Sequence, residues 1–85
     1  MKHRAARKFW QHYRQLPAAV QRLADKDFAL LKSDPRHPSV QFKTVGWMWS
    51  ARVGAHYRAL AVKSGSDLVW FWIGTHAEYN EIVKH

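Results

Sequence analysis

The chain has no cysteine, which removes disulfides and thiolate metal sites and suits a reducing compartment. It has no apolar run near the roughly 18 residues that a membrane span needs, and its basic start leads into an amphipathic segment rather than the apolar core of a signal peptide. A soluble, cytoplasmic protein with no membrane partner is the expectation. Glycine (4) and proline (3) are scarce, and no low-complexity tract, repeat or linker interrupts the sequence, so residues 1–85 read as one small domain. A glycine-rich phosphate loop and a Gly-x-Ser-x-Gly elbow are both missing, which excludes P-loop nucleotide hydrolases and serine hydrolases of that type. The six histidines show neither His-x-His nor His-x-x-x-His spacing, so no metal is expected, no cofactor is implied, and nothing calls for a small-molecule ligand. Acid is scarcest where base is densest: no Asp or Glu precedes Asp25, while Lys2, Arg4, Arg7, Lys8, Arg14 and Arg22 all do.

What is present is positive charge and large rings. Fourteen Lys and Arg against six Asp and Glu give a net charge of +8 and a pI near 10.3. In so small a domain this points to a polyanion, most often nucleic acid, or to an acidic protein that neutralises it; a solvated basic face is the plainer alternative. Hydrophobic residues make up 47%, five of them Trp, enough to drive folding.

The organising stretch is Leu68-Val69-Trp70-Phe71-Trp72-Ile73-Gly74, bulky at successive positions and therefore a central strand covered on both faces. Strict alternation puts Val69, Phe71 and Ile73 on one face and Leu68, Trp70 and Trp72 on the other. Thr75 and Glu78 then make a capping box that starts a short terminal helix. Upstream, Phe9, Trp10, Tyr13 and Leu16 predict a helix over 5–15, and Val20, Leu23, Ala24, Phe28 and Leu31 a second over 17–32, opened by Pro17. The two form an αα-hairpin whose rings serve the core. After a proline-rich loop over 33–39, alternation predicts strands over 40–45, 48–53 and 57–62, with the last three strands in a meander.

Few residues carry chemistry. Arg52 and Arg58 lie in otherwise apolar strands, where an arginine either reaches an edge, pairs with Asp67 or Glu78, or faces a groove that receives an anion. His76 stands at a strand-to-helix junction, where an imidazole can move a proton beside a helix start. Glu78 reads as the capping-box acid, and Tyr79 either joins such a site or anchors the last helix through Ile82 and Val83.

Taken in order, the αα-hairpin, the loop Asp34 to Ser39, Phe42-Lys43, the strand Trp49 to Val53, Tyr57-Arg58-Ala59-Leu60 and the closing Ile73-Gly74-Thr75-His76-Ala77-Glu78-Tyr79 resemble the RelE/ParE toxin superfamily, from about Ala5 to Val83. The resemblance implies an α+β fold: an N-terminal αα-hairpin on one face of a twisted, mainly antiparallel sheet of about four strands, with a short C-terminal helix. Family members usually open with a full strand, for which only Met1 to Arg4 is available here. The resemblance also implies a toxin of a bacterial type II toxin–antitoxin pair, partnered by a cognate antitoxin. In RelE-like members it implies mRNA cut on the ribosome; in ParE-like members, DNA gyrase inhibited without catalysis. On the RelE side, Arg58, His76 and Tyr79 would be catalytic, and Lys43 and Arg52 would hold RNA phosphates.

Overall fold

The computed structural model describes residues 2–84. Along the chain these form β1 (Lys2–Ala5), α1 (Arg7–Arg14), α2 (Ala18–Ser33), β2 (Lys43–Val45), β3 (Met48–Val53), β4 (Tyr57–Ser64), β5 (Asp67–Thr75) and α3 (His76–Val83). The strands make one sheet in the order β1-β5-β4-β3-β2. β2 to β5 form an antiparallel meander, and β1 pairs in parallel with β5, Lys2 opposite Asp67 and Ala5 opposite Trp70. No helix among the described residues is long and apolar enough to cross a membrane.

The expected α+β architecture is present with one strand more than anticipated. Residues 2–5 form a complete edge strand, and α1 starts at Arg7 rather than at Ala5. Two bonds to Trp70 explain the difference. The Trp70 indole Nε1–H donates to His3 Nδ1 at 3.1 Å, and the Ala6 amide donates to the Trp70 carbonyl at 2.9 Å, so the chain is held extended against β5 until Ala6.

Both α1 and α2 cover one face of the sheet, where Ala24 and Leu31 pack with Ala51, Ala59, Ala61, Leu68, Trp70 and Ile73. Their hairpin is closed by polar bonds: Tyr13 Oη–H donates to Asp25 at 2.8 Å, and Gln21 Nε2 donates to the carbonyls of Tyr13 and Leu16 at 3.0 and 3.3 Å. Phe9 and Tyr13 are half-buried as the helical stripe predicts, but Trp10 remains 42% exposed. A second, smaller apolar cluster lies on the opposite face. It joins Met48, Leu60 and Trp72 to Tyr79 of α3, with Val45, Val62, Phe71 and Val83 at its margin.

The alternation expected along β5 fails at one residue. Trp72 stands opposite Leu60 and Trp70 opposite the next residue, Ala61, so Phe71 is extra, a β-bulge. The bulge shifts the period by one: Ile73 joins Leu68 and Trp70 under the helices, while Trp72 and Phe71 turn to the α3 side. The strand predicted from Val40 also starts late, at Lys43. Gln41 has φ +43°, a left-handed backbone that cannot continue a strand.

β5 passes into α3 through Gly74 and the capping box. Thr75 Oγ1 accepts from the Glu78 amide at 3.1 Å, and the Glu78 carboxylate accepts from the Thr75 amide and hydroxyl at 3.0 and 2.9 Å. A Cβ at Gly74 would lie 2.5 Å from the Trp72 ring and 2.9 Å from Glu78 Oε1. Only glycine lets the ring and the cap close on the strand together.

Two stability predictions follow from these contacts. Thr75→Ala removes one cap and should cost about 1 kcal/mol, whereas Gly74→Ala drives a methyl into an aromatic ring and should cost roughly 1 to 3 kcal/mol; urea unfolding of both variants measures the difference. His3 is held below its ordinary value of 6.5, first by burial and then by Lys32. Only its neutral ring can accept from Trp70. The unfolded chain therefore takes up this proton more readily, and the contribution is complete above about pH 6.5 and lost as pH falls through the lower folded value. Thermal melts between neutral and mildly acidic pH should show that loss in the wild type and a smaller one in His3→Gln. Equal pH dependence in the two would exclude His3 as its source.

Candidate functional site

The antiparallel register decides which residues share a face, because residues directly opposite one another project to the same side. Arg52 is opposite Arg58, which is opposite Gly74; one row along, Lys43 is opposite Ser50, Ser50 opposite Leu60, and Leu60 opposite Trp72. Lys43, Arg52 and Arg58 therefore leave the face that α3 packs on, away from the helix pair.

Arg58 is only 3% exposed. Its Nε–H donates to Ser50 Oγ at 3.0 Å, and its terminal nitrogens donate to Gln41 Oε1 at 3.1 Å and the Gln41 carbonyl at 3.4 Å. Its guanidinium carbon lies 4.9 Å from the Tyr79 ring centroid, within cation–π range. Burial pulls its pKa below the ordinary arginine range; the Tyr79 phenol opposes that shift and the neighbouring Arg52 adds to it.

Neither acid that offered these arginines a pairing takes it. Asp67 lies 3.6 Å from Arg4 at the β1 edge, and Glu78 is engaged by Thr75, whose backbone and side-chain donors hold that carboxyl below its usual range. Among the described residues no carboxylate oxygen comes within 4 Å of Arg58 or Arg52. Arg52 is half-buried, its Nε–H donating to the Gly54 carbonyl at 2.9 Å. Lys43 is exposed on the short edge strand.

Tyr79, one turn into α3, is 6% exposed and joins the remaining residues. On one side its ring meets Arg58; on the other it lies 5.6 Å from the His76 ring, centroid to centroid. His76 is exposed at the first position of α3, its amide donating to the His56 carbonyl at 2.8 Å. Asn80 Nδ2 lies 3.2 Å from His76 Nδ1. That is hydrogen-bond distance, with the direction of the bond set by the imidazole tautomer.

The structure thus brings Arg58, Tyr79 and His76 into one contiguous group, with Arg52 beside Arg58 and Lys43 one row away. Sequence reasoning missed Ser50 and Gln41. Ser50 was findable, since it lies two residues before Arg52 and so on the same face. Gln41 gave no signal, because its contact depends on a left-handed backbone. An apolar cavity of about 90 Å3 lies elsewhere, beneath the helix pair, and of the five candidate residues only Arg52 borders it. Among the described residues no cluster of His, Asp and Glu has the arrangement of a metal site.

Comparison with known proteins bears on the fold and the family. The family described as the ParE-like toxin domain matches residues 18–81. The structure is similar to a YoeB/ParE toxin from Agrobacterium tumefaciens (20% identity, TM-score 0.67, covering 89% of this chain and 99% of that one). It is also similar to a chain of the toxin–antitoxin complex RelBE2 from Mycobacterium tuberculosis (20%, 0.65, 88% and 96%) and to the isolated RelE toxin of E. coli (15%, 0.63, 98% and 95%). No curated protein matches the chain. At these identities the structural likenesses speak for the fold, which is that of YoeB/ParE and RelE toxins, and the family match speaks for descent: the chain belongs to the ParE-like toxin family.

Proposed function

We propose that this toxin is a ribosome-dependent mRNA endonuclease of RelE type, active in the cytoplasm and neutralised by a cognate acidic antitoxin. The observation that carries the reading is Arg58, a cation 3% exposed, held by neutral oxygens and facing a second arginine across the strand pair. A buried charge is expensive without a counter-charge, and like charges directly opposite destabilise a sheet. Such a pair is understandable where an anion is the missing member. A phosphate reaches Arg58 by taking over the contact made by the Gln41 side chain, which lies at the surface.

The chemistry follows from that placement. The ribose 2′-oxygen forms a bond to phosphorus, the bond from phosphorus to the 5′-oxygen breaks, and a cyclic phosphate and a 5′-hydroxyl result. The 2′-OH proton leaves to water. Arg58 and Arg52 stabilise the charge growing on the phosphoryl oxygens. His76, carrying a proton on both ring nitrogens when it acts, delivers the one on Nε2 to the departing 5′-oxygen and is left neutral, and Tyr79 holds the guanidinium and the imidazole in register. Lys43 contacts the RNA backbone. The antitoxin completes the account of the charge: the RelBE2 complex joins a toxin of this fold to its antitoxin, and a surface of +8 favours an acidic partner.

A second reading is a ParE-like inhibitor of DNA gyrase without catalysis. The ParE-like family match and the depth of Arg58 favour it. Cleavage of mRNA on isolated ribosomes, run beside a gyrase supercoiling assay, separates the two. Under the enzymatic reading, Arg58→Ala should lower cleavage by about 10²- to 10³-fold and His76→Gln by roughly 10²- to 10⁴-fold, with circular-dichroism melts confirming that both fold. Intact ribosomal mRNA together with blocked supercoiling would overturn the assignment, as would wild-type cutting by both folded variants.

The three cations make a separate prediction. If Lys43, Arg52 and Arg58 neutralise three phosphates of single-stranded RNA, log affinity against log salt should fall with a slope of roughly −2. Each substitution to Ala should flatten that slope by about 0.7. Binding indifferent to ionic strength would mean that the charge serves something else.

A further inference from the structure

The turn between β2 and β3 leaves Trp47 73% exposed. A single exposed tryptophan is ordinary, but this one has a partner two strands away. Its ring lies parallel to that of Phe71 to within 7°, the centroids 6.5 Å apart, although β4 runs between β3 and β5. Phe71 is the extra residue of the β5 bulge, turned out on the Arg58 side of the sheet at the margin of the Met48, Leu60 and Trp72 cluster. Because the two planes are parallel, a flat ring stacked on one lies parallel to the other as well.

The surroundings select the ligand. Phe71 stands against the step from Leu60 to Ala61, two to three residues along β4 from Arg58 and so roughly 7 to 10 Å away. Lys43 projects from the same face on the β2 side, in the row of Leu60. An apolar patch alone would suit a protein surface; one aligned with three cations suits a strand that carries both phosphates and flat bases. We infer that Trp47 and Phe71 form a stacking platform for a nucleobase of the single-stranded RNA whose phosphate is held at Arg58. The inference rests on reading that face as an RNA site. Every base has a π-face, so the platform sets the register of the strand against Arg58 without selecting a sequence.

The test is equilibrium binding of a short fluorescent oligoadenylate and of an abasic oligonucleotide of the same length, each over a salt series. Wild type should bind the oligoadenylate more tightly. Trp47→Ala should weaken that binding by about 5- to 150-fold while leaving the abasic affinity and both salt slopes nearly unchanged. Trp47→Phe, which keeps a ring, should retain most of the preference. Lys43→Ala should instead flatten both slopes by about 0.7. Trp47 is exposed, so these variants should fold, as circular dichroism can verify. If Trp47→Ala binds both oligonucleotides like the wild type while the Lys43 slope effect persists, the platform is not a base site and the RNA reading of the face stands. A wild type without salt-dependent binding overturns both. Trp47→Ala that keeps the oligoadenylate but loses the purified antitoxin assigns the surface to a protein and overturns the inference.

Discussion

Two residues of β5 stand where one residue of β4 would ordinarily face one, and the division of the molecule into two layers follows from that mismatch. A strand of regular period would leave Ile73 on the side of Phe71, away from the helices. With Phe71 extruded, Leu68, Trp70 and Ile73 all reach the helical layer, and Trp72 becomes the centre of the smaller cluster beneath α3. The same slip brings Gly74 opposite Arg58, so the one residue without a side chain occupies the place where the Trp72 ring, the capping carboxylate and the strand converge.

Arg58 sits in the layer that this arrangement creates. Its fork is met by a hydroxyl, an amide oxygen, a carbonyl and an aromatic face. Each offsets part of the desolvation of a charge and none cancels it. Both nearby acids are committed elsewhere, Asp67 to the β1 edge and Glu78 to a helix cap. The positive potential on this face is thus set by the placement of acids as much as by the number of bases.

Much of this was legible in the sequence where a local rule acted alone. The helix over Ala18–Ser33 followed its apolar spacing, the Thr75 and Glu78 cap was read from two residues, and β3, β4 and β5 lay within one or two residues of their expected bounds. Of the site, His76 and Tyr79 announced themselves by position at a helix start, and the two arginines by their apolar neighbours. What stayed hidden depended on partners distant in sequence or on unusual backbone. β1 exists because Trp70 holds His3 and Ala6; Gln41 reaches Arg58 because its φ is positive; and the bulge at Phe71 cannot be seen in a run where every residue is bulky. Alternation can identify a two-faced strand, but it cannot find the residue at which the faces exchange.

The pairing of β1 with β5 joins residues 2–5 to residues 67–70, the longest closure in the sheet. Loop closure of this span gives its entropy back only late in folding, after the local hairpins and the helix pair have formed. β1 must wait for β5, made some sixty residues later, before it can pair, and the ring that backs Arg58 lies further on again, in α3. The arginine face is therefore complete only once strands from the middle of the chain have met a helix that follows them all among the described residues.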